Sequence, residues 1–424
     1  MIRQRKSTTA AVATATALAL ALTACSSKAE ETGKGDGGGG DEGGIATDIG
    51  VTDDTITLGS LTDMTGPYAT LGASITQAQQ LYVKETNEAG GICDRQLKLE
   101  VRDHGYEAEK AISAYTELEP SVLAFVQFIG SPYVTAVKER IDEQDEVVVL
   151  PQAWSASLLG SKYIHMIGTT YDYETINAID FLMTEKGIEE GDTIGHIYFE
   201  GDYGENALEG SRHAAEEAGL TVVEQMIKPT DEDMTAQVGA LGRAGASAII
   251  VSAGPRQAAS VAGVAAAGGL NVPIIGNNSA FAPQLLATDV GPALMNEFYI
   301  AIPALPIGSE EDGPQALSET YSAEYPDAVL DSGVVAGYNA ISLFGEALQV
   351  ACDNEDLTRE GIADAMLSQE SVDNGFGIVH NFSDPEAPSS LESFITKPDD
   401  SVPGGTVVVR EAFASDMTGS FSRE

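Results

Sequence analysis

Thr55 to Gly91 reads TITLGSLTDMTGPYATLGASITQAQQLYVKETNEAGG and contains one structural unit whose repetition decides the fold. Thr55 to Leu61 alternates apolar residues with small or polar ones, the pattern of a strand. From Ala73 to Ala89, Ile75, Ala78, Leu81, Tyr82 and Ala89 recur at helical spacing, and Gly90-Gly91 stops the run. The polar stretch between the two patterns is a strand-to-helix loop.

Outward from this unit the alternation continues. Leu97 to Val101 reads as a strand, Val122 to Phe128 (VLAFVQF) is continuously apolar, and Val147 to Leu150 follows another helix. Ile194 to Phe199, a helix from about Asn206 to Ala218, and Thr221 to Ile227 repeat the order. Ala248 to Val251, Val272 to Ile275 and Phe298 to Ile302 complete the strands. Ala218-Gly219 and Gly268-Gly269 read as helix stops, and Thr230 with Asp233 as a capping box before Met234, Val238 and Leu241. Near-continuous apolar strands separated by helices predict an α/β fold with parallel sheets covered on both faces. No short tandem period appears, and the length predicts two halves.

The N-terminal end has a different composition. Arg3, Arg5 and Lys6 precede an uncharged apolar stretch from Ala10 to Leu22, too short to span a bilayer, so residues 1–24 read as a signal peptide. Leu22-Thr23-Ala24-Cys25 resembles the bacterial lipoprotein signal, in which the cysteine carries the acyl chains. An ordinary secretory signal with a chance cysteine is the plainer alternative. Residues 25–53, with glycine uninterrupted from Gly37 to Gly40, read as a flexible tether. Net charge is −43 over 424 residues, which disfavours nucleic acid and anionic lipid surfaces as partners. Beyond Cys25 only Cys93 and Cys352 remain. In an oxidising compartment they read as one disulfide, with two free thiols as the alternative.

Catalytic signatures are missing from the sequence: it has no GxSxG, HExxH, P-loop or GxGxxG. His104, His165, His196, His213 and His380 have no metal-ligand spacing, so neither a metal nor any other cofactor is expected. The informative segments lie where strands end: Met64-Thr65-Gly66-Pro67, Ile129-Gly130-Ser131-Pro132, Gly201-Asp202-Tyr203-Gly204 and Gly276-Asn277-Asn278-Ser279. Open α/β sheets bind ligands at such ends.

These segments carry a resemblance. ITLGSLTDMTGPYATLG at Ile56 to Gly72, NEAGGI at Asn87 to Ile92, DYGENALEG at Asp202 to Gly210 and DMTAQVGALGRAGASAII at Asp233 to Ile250 keep their order and spacing. Together they resemble the leucine/isoleucine/valine-binding receptors of ABC transporters, from about Asp54 to the end of the chain. The resemblance implies the type I periplasmic binding fold: two doubly wound parallel-sheet domains joined by three hinge crossovers. Domain 1 is expected at 54–169 plus 302–379, and domain 2 at 170–301 plus 380–424. The crossings are expected near Gly168 to Thr170, Ala301 to Pro303 and Val379-His380.

Carried over residue by residue, the resemblance places Ser131 on a ligand carboxylate. Its position before Pro132 independently reads as a helix N-cap, where free N–H groups favour an anion. Pro151-Gln152-Ala153-Trp154 stands where the family has small residues and a threonine; Trp154 either stacks on a ligand or forms an apolar rim. Tyr203 matches a ligand-facing tyrosine, with buried packing as the alternative. Asn278 replaces the glutamate that holds an ammonium, and Gly254 replaces a contacting tyrosine. Leucine, isoleucine and valine are therefore expected to bind weakly. Tyr68, Leu71 and Phe281 are further pocket candidates, whereas Tyr338 reads as core.

The expected function is that of a monomeric, lipid-anchored, extracytoplasmic receptor, not an enzyme. It would deliver a small polar, carboxylate- or amide-bearing ligand to ABC permease subunits. A ligand sensor of the same fold is the alternative.

Overall fold

A computed structural model describes residues 44–423, so the leader, Cys25 and most of the tether lie outside the described residues. Ala46–Thr47 (β1) is already tied down. It runs parallel to Asp356–Leu357 (β11), with the Ala46 amide donating to the Glu355 carbonyl at 2.8 Å. The segment read as tether up to residue 53 is thus joined to the body before its end, through backbone hydrogen bonds that composition does not reveal.

The opening unit folds as its pattern predicts. Thr55–Thr62 (β2) leads into Ala69–Glu88 (α1), which begins four residues before the apolar repeat. Gln96–Asp103 (β3), Ala108–Leu118 (α2), Ala124–Phe128 (β4), Ser131–Arg140 (α3) and Val148–Val149 (β5) follow. The four long-range strands form one parallel sheet in the order β3-β2-β4-β5.

The chain then passes to a second sheet through Tyr171–Lys186 (α4). Thr193–Phe199 (β6), Asp202–Ala218 (α5), Thr221–Ile227 (β7), Thr235–Ala244 (α6), Ala248–Ser252 (β8), Pro255–Gly268 (α7), Ile274–Gly276 (β9), Gly291–Glu297 (α8) and Phe298–Ile302 (β10) come next. Asp312–Glu324 (α9), Ser332–Asp353 (α10) and Arg359–Leu367 (α11) return to the first sheet, where α10 packs along α1 and against β4. Ser393–Pro398 (β12) and Thr406–Phe413 (β13) rejoin the second, whose order is β13-β12-β10-β9-β8-β6-β7. Its β10–β12 and β12–β13 pairings are antiparallel, so the sheet is mixed at one side. The hydrophobic strand pattern alone does not distinguish this from a wholly parallel sheet.

Local signals differ in how they fared. Gly219 and Gly269 cap α5 and α7 in the left-handed region. The Thr230–Asp233 capping box does not form. The N-cap of α6 is Met234, and Asp233 Oδ1 instead accepts from the Thr235 amide at 2.9 Å, closing an Asx turn just ahead of the helix. Tyr338 is half-buried on α10, its hydroxyl donating to Glu85 Oε2 at 2.7 Å.

Two long-range features tie the late chain to the first sheet. A disulfide joins Cys93 to Cys352, with Cα atoms 5.9 Å apart across 259 residues of sequence. Arg359, 3% exposed, donates to Glu119 Oε1 at 2.7 Å and to the Val122 carbonyl at 2.7 Å. The three passages between the sheets meet each other. Gly168 packs against Pro303, its amide donates to Ser389 Oγ at 2.8 Å, and that hydroxyl lies 3.1 Å from His380 Nδ1.

Candidate functional site

Each sheet has a point where successive strands depart in opposite directions. In the first sheet β2 leads to β3 on one side while β4 lies on the other; in the second, β6 leads to β7 while β8 lies opposite. Loops at the C-terminal ends of such strand pairs diverge and leave a crevice. The two crevices border one cavity of about 110 Å³.

The loop after β2 supplies Tyr68. Buried Asp63 accepts from the Gly66 and Tyr68 amides at 2.5 and 2.9 Å, which fixes the turn and aims the phenol inward. The Tyr68 hydroxyl is buried without a hydrogen-bond partner. The loop after β4 supplies Ser131. Here the sequence expectation needs correction: Gly130 is the N-cap and Ser131 the first helical residue of α3. Gly130 has φ of +104°, and a Cβ there would press on the Tyr133 and Tyr106 rings. Ser131, 1% exposed, caps nothing, and its Oγ has no partner.

After β5 the chain supplies Gln152 and Trp154. Gln152 donates weakly to the Ala336 carbonyl at 3.4 Å and leaves Oε1 unpartnered. Trp154 Nε1 donates to the Ile167 carbonyl at 2.8 Å, which holds the indole against the cavity. Ala153 between them is fully buried and does not line the cavity. From the second sheet, Tyr203 is the second residue of α5, accepts from Ser279 Oγ at 3.1 Å and packs on Tyr171 with centroids 4.2 Å apart. Asn278 and Phe281 follow β9 and line the same space, as does Leu71 on α1. Gly254 leaves no vacancy, because Tyr68 and Phe199 reach the space beside it.

Sequence reading missed Tyr106 and Tyr171, which border the cavity with Tyr68 and Tyr203, and the aliphatic side chains of Ile75, Ile129, Ile300, Ile302, Leu305 and Ile307. The signal in IPALPI, Ile302 to Ile307, was present, but the sequence reading used its start only as a crossing near Ala301 to Pro303. Burial raises the four tyrosines well above the ordinary phenol range, so their hydroxyls stay protonated and able to donate.

Among the described residues, no Asp, Glu, Lys, Arg or His lines the cavity. Behind Asn278 lies Glu174, near the start of α4. It is fully buried, and its Oε1 and Oε2 accept from the Asn278 amide and Nδ2 at 2.8 and 3.0 Å. Burial pushes its carboxyl up to about 8, against the opposing effect of the Asn278 and Asn277 hydrogen bonds. Among the described residues, no three or more His, Cys, Asp or Glu side chains are grouped to hold a metal. His165, His196 and His380 are buried and their pKa values lowered by desolvation, to about 4, 3 and 4 respectively.

Residues 55–389 match the family model described as periplasmic binding protein. The structure is similar to that of a fatty acid ABC transporter substrate-binding protein from Thermomonospora curvata: 50% identity, TM-score 0.88, covering 89% of this chain and 97% of the other. A branched-chain amino acid ABC transporter protein from Thermus thermophilus with bound valine has the same fold, at 20% identity and TM-score 0.77, covering 87% and 99%. A Leu/Ile/Val-binding protein homolog 3 from Brucella melitensis is 24% identical over 198 residues, 46% of this chain and 53% of that protein. The chain spans about half the length of the curated relatives it matches.

Proposed function

The chain belongs to the periplasmic binding protein family, and from that premise we propose that it is the extracytoplasmic receptor of an ABC uptake transporter for a monocarboxylic acid with a long apolar tail. The observation that carries this reading is the uncharged, mainly aliphatic and aromatic cavity wall. A zwitterionic amino acid needs a countercharge for its ammonium, and burying that group unpaired is costly. An alkyl chain needs only apolar surface and gains about 0.8 kcal/mol per buried methylene. The carboxylate end would meet Ser131 and the start of α3, with the Tyr68 hydroxyl as a second donor. The half-identical fatty acid-binding relative supports the same ligand class. A small polar ligand, the expectation from sequence, would leave most of this wall unused.

In this reading residues 54–169 plus 302–379 and residues 170–301 plus 380–424 are two domains. They hinge where Gly168, Pro303 and His380 meet and close on the ligand for presentation to permease subunits. Cys25 would carry the lipid anchor and the glycine-rich segment the slack between membrane and monomeric body. The protein would bind and release without catalysis. A thermal-shift screen tests the ligand class. Hexadecanoate at a hundred times its dissociation constant should stabilise by about 2.7 kcal/mol, and leucine should not. Micromolar leucine binding with no response to any fatty acid would overturn the proposal.

A further inference from the structure

The cavity continues beyond the cleft. Past Ile302 it is also lined by Ile300, Thr396 and Thr406, residues of three different strands. Their register explains this. Ile300 pairs with Thr396, and Pro398, two residues on, pairs with Thr406, so all three lining side chains project from one face of the sheet. From Ile302 to the level of Thr406 is four residue steps, about 13 Å at roughly 3.3 Å per residue. The apolar crossing segment from Pro303 to Ile307 borders the same space.

Gly404 and Ile307, which both border this space, are packed closely against each other. Gly404 has φ of +75°, and a Cβ on it would collide with Ile307 Cγ2; one on Gly308 would collide with the Pro403 carbonyl. The two segments touch with no room for a side chain between them. Thr406, half-buried at the start of β13, follows Gly404 by two residues and also borders the space.

The geometry points to a blind tunnel that measures the ligand's tail, with Thr406 and Ile307 setting the longest chain accepted. This inference rests on the receptor role proposed above. A zigzag chain of C–C bonds near 1.5 Å advances about 1.25 Å per carbon, so the span from Ile302 to the level of Thr406 equals the length of about ten carbons. Shorter acids leave its end empty; longer ones must fold back or stay partly in the cleft.

The test is a dissociation-constant series for octanoate, dodecanoate and hexadecanoate against the wild type, Thr406→Trp and Ile307→Ala, with circular dichroism to check folding. In the wild type, affinity should rise by up to about four-fold per methylene until the tunnel is full. Thr406→Trp should weaken hexadecanoate at least ten-fold and leave octanoate within two-fold. Ile307→Ala should shift the preference toward the longest acid, and it decides the matter if the tryptophan variant does not fold. Equal losses for short and long acids, or no change in either variant, would overturn the tunnel while leaving the receptor reading intact. If the wild type binds none of the acids, the receptor reading fails with it.

Discussion

Asn278 gives both its backbone and its side-chain N–H to Glu174, which leaves Oδ1 as the polar atom it can offer the cavity. That arrangement requires both Glu174 oxygens to accept, as an ionised carboxylate does. With burial raising the Glu174 pKa to about 8, a proton sits on this group at neutral pH. The protonated oxygen then donates, Asn278 turns its amide, and Nδ2 faces the cavity. A carboxylate ligand prefers that donor. Its binding should therefore weaken about ten-fold as pH rises from 6.5 to 9.5. Glu174→Gln, whose Nε2 donates at every pH, should keep the tighter affinity across the range. Calorimetric titration with hexadecanoate at both pH values checks this, and an equal pH slope in wild type and variant would refute it. At this scale the sequence showed that Asn278 stands in place of a glutamate, but not that Glu174 stands behind it. The two are 104 positions apart and meet only because α4 packs beneath the loop after β9.

At the level of elements, α10 combines a legible signal with a hidden consequence. Its run of Val334, Val335, Ala340, Ile341, Leu343, Phe344, Ala347 and Leu348 is buried along one face, and Asp331 caps it by accepting from the Gly333 amide at 2.9 Å. The cap is also buried. Ser74 Oγ donates to Oδ1 at 2.6 Å, while Oδ2 has no partner. Burial pushes the Asp331 carboxyl up to about 7. A raised folded-state pKa means the native state holds the proton more tightly than the unfolded chain. This group's contribution is thus most favourable below the ordinary range of an aspartic acid and is lost as pH rises through about 7. Asp331→Asn keeps the accepting oxygen and removes the titration. At pH 8 the variant should be more stable than wild type by at least about 1 kcal/mol, and at pH 4 the two should be nearly equal. Urea denaturation at the two pH values measures this; a variant less stable at pH 8 would show that Asp331 gains more from its charge than burial takes away.

On the scale of the whole molecule, the cleft is held by a small set of hydrogen bonds away from the cavity. The segment after Trp154 reaches the start of α5: the Ala156 amide donates to Asn206 Oδ1 at 3.1 Å, and Ser157 Oγ to Asp202 Oδ2 at 3.2 Å. Asn206 Nδ2 in turn donates to buried Asp172 at 3.0 Å, which Arg423 also pairs at 2.7 Å. Asn206→Ala removes one of these links between the two sides without touching the cavity wall. It should favour the open form, weaken ligand binding by about two- to ten-fold and enlarge the ligand-free radius of gyration in solution scattering. Unchanged affinity together with an unchanged radius would show that these contacts do not govern closure.

The sequence by itself determined the local periodicities: strands from their apolar runs, helices from their faces and glycine stops, and a crevice from the loops at strand ends. These depend on neighbours along the chain, so composition and spacing reveal them. Its ordered motifs further implied the family, and single positions such as Ser131, Trp154 and Tyr203 were traced to the cavity in this way. Only the tertiary structure decided which strands turn antiparallel, that Ala46–Thr47 is tied to β11, and that Ile302 to Ile307 borders a space reaching Thr406. Each of these joins residues far apart in sequence. What decides them is which surfaces are left to bury once the two sheets have formed, and no pattern along the chain records that.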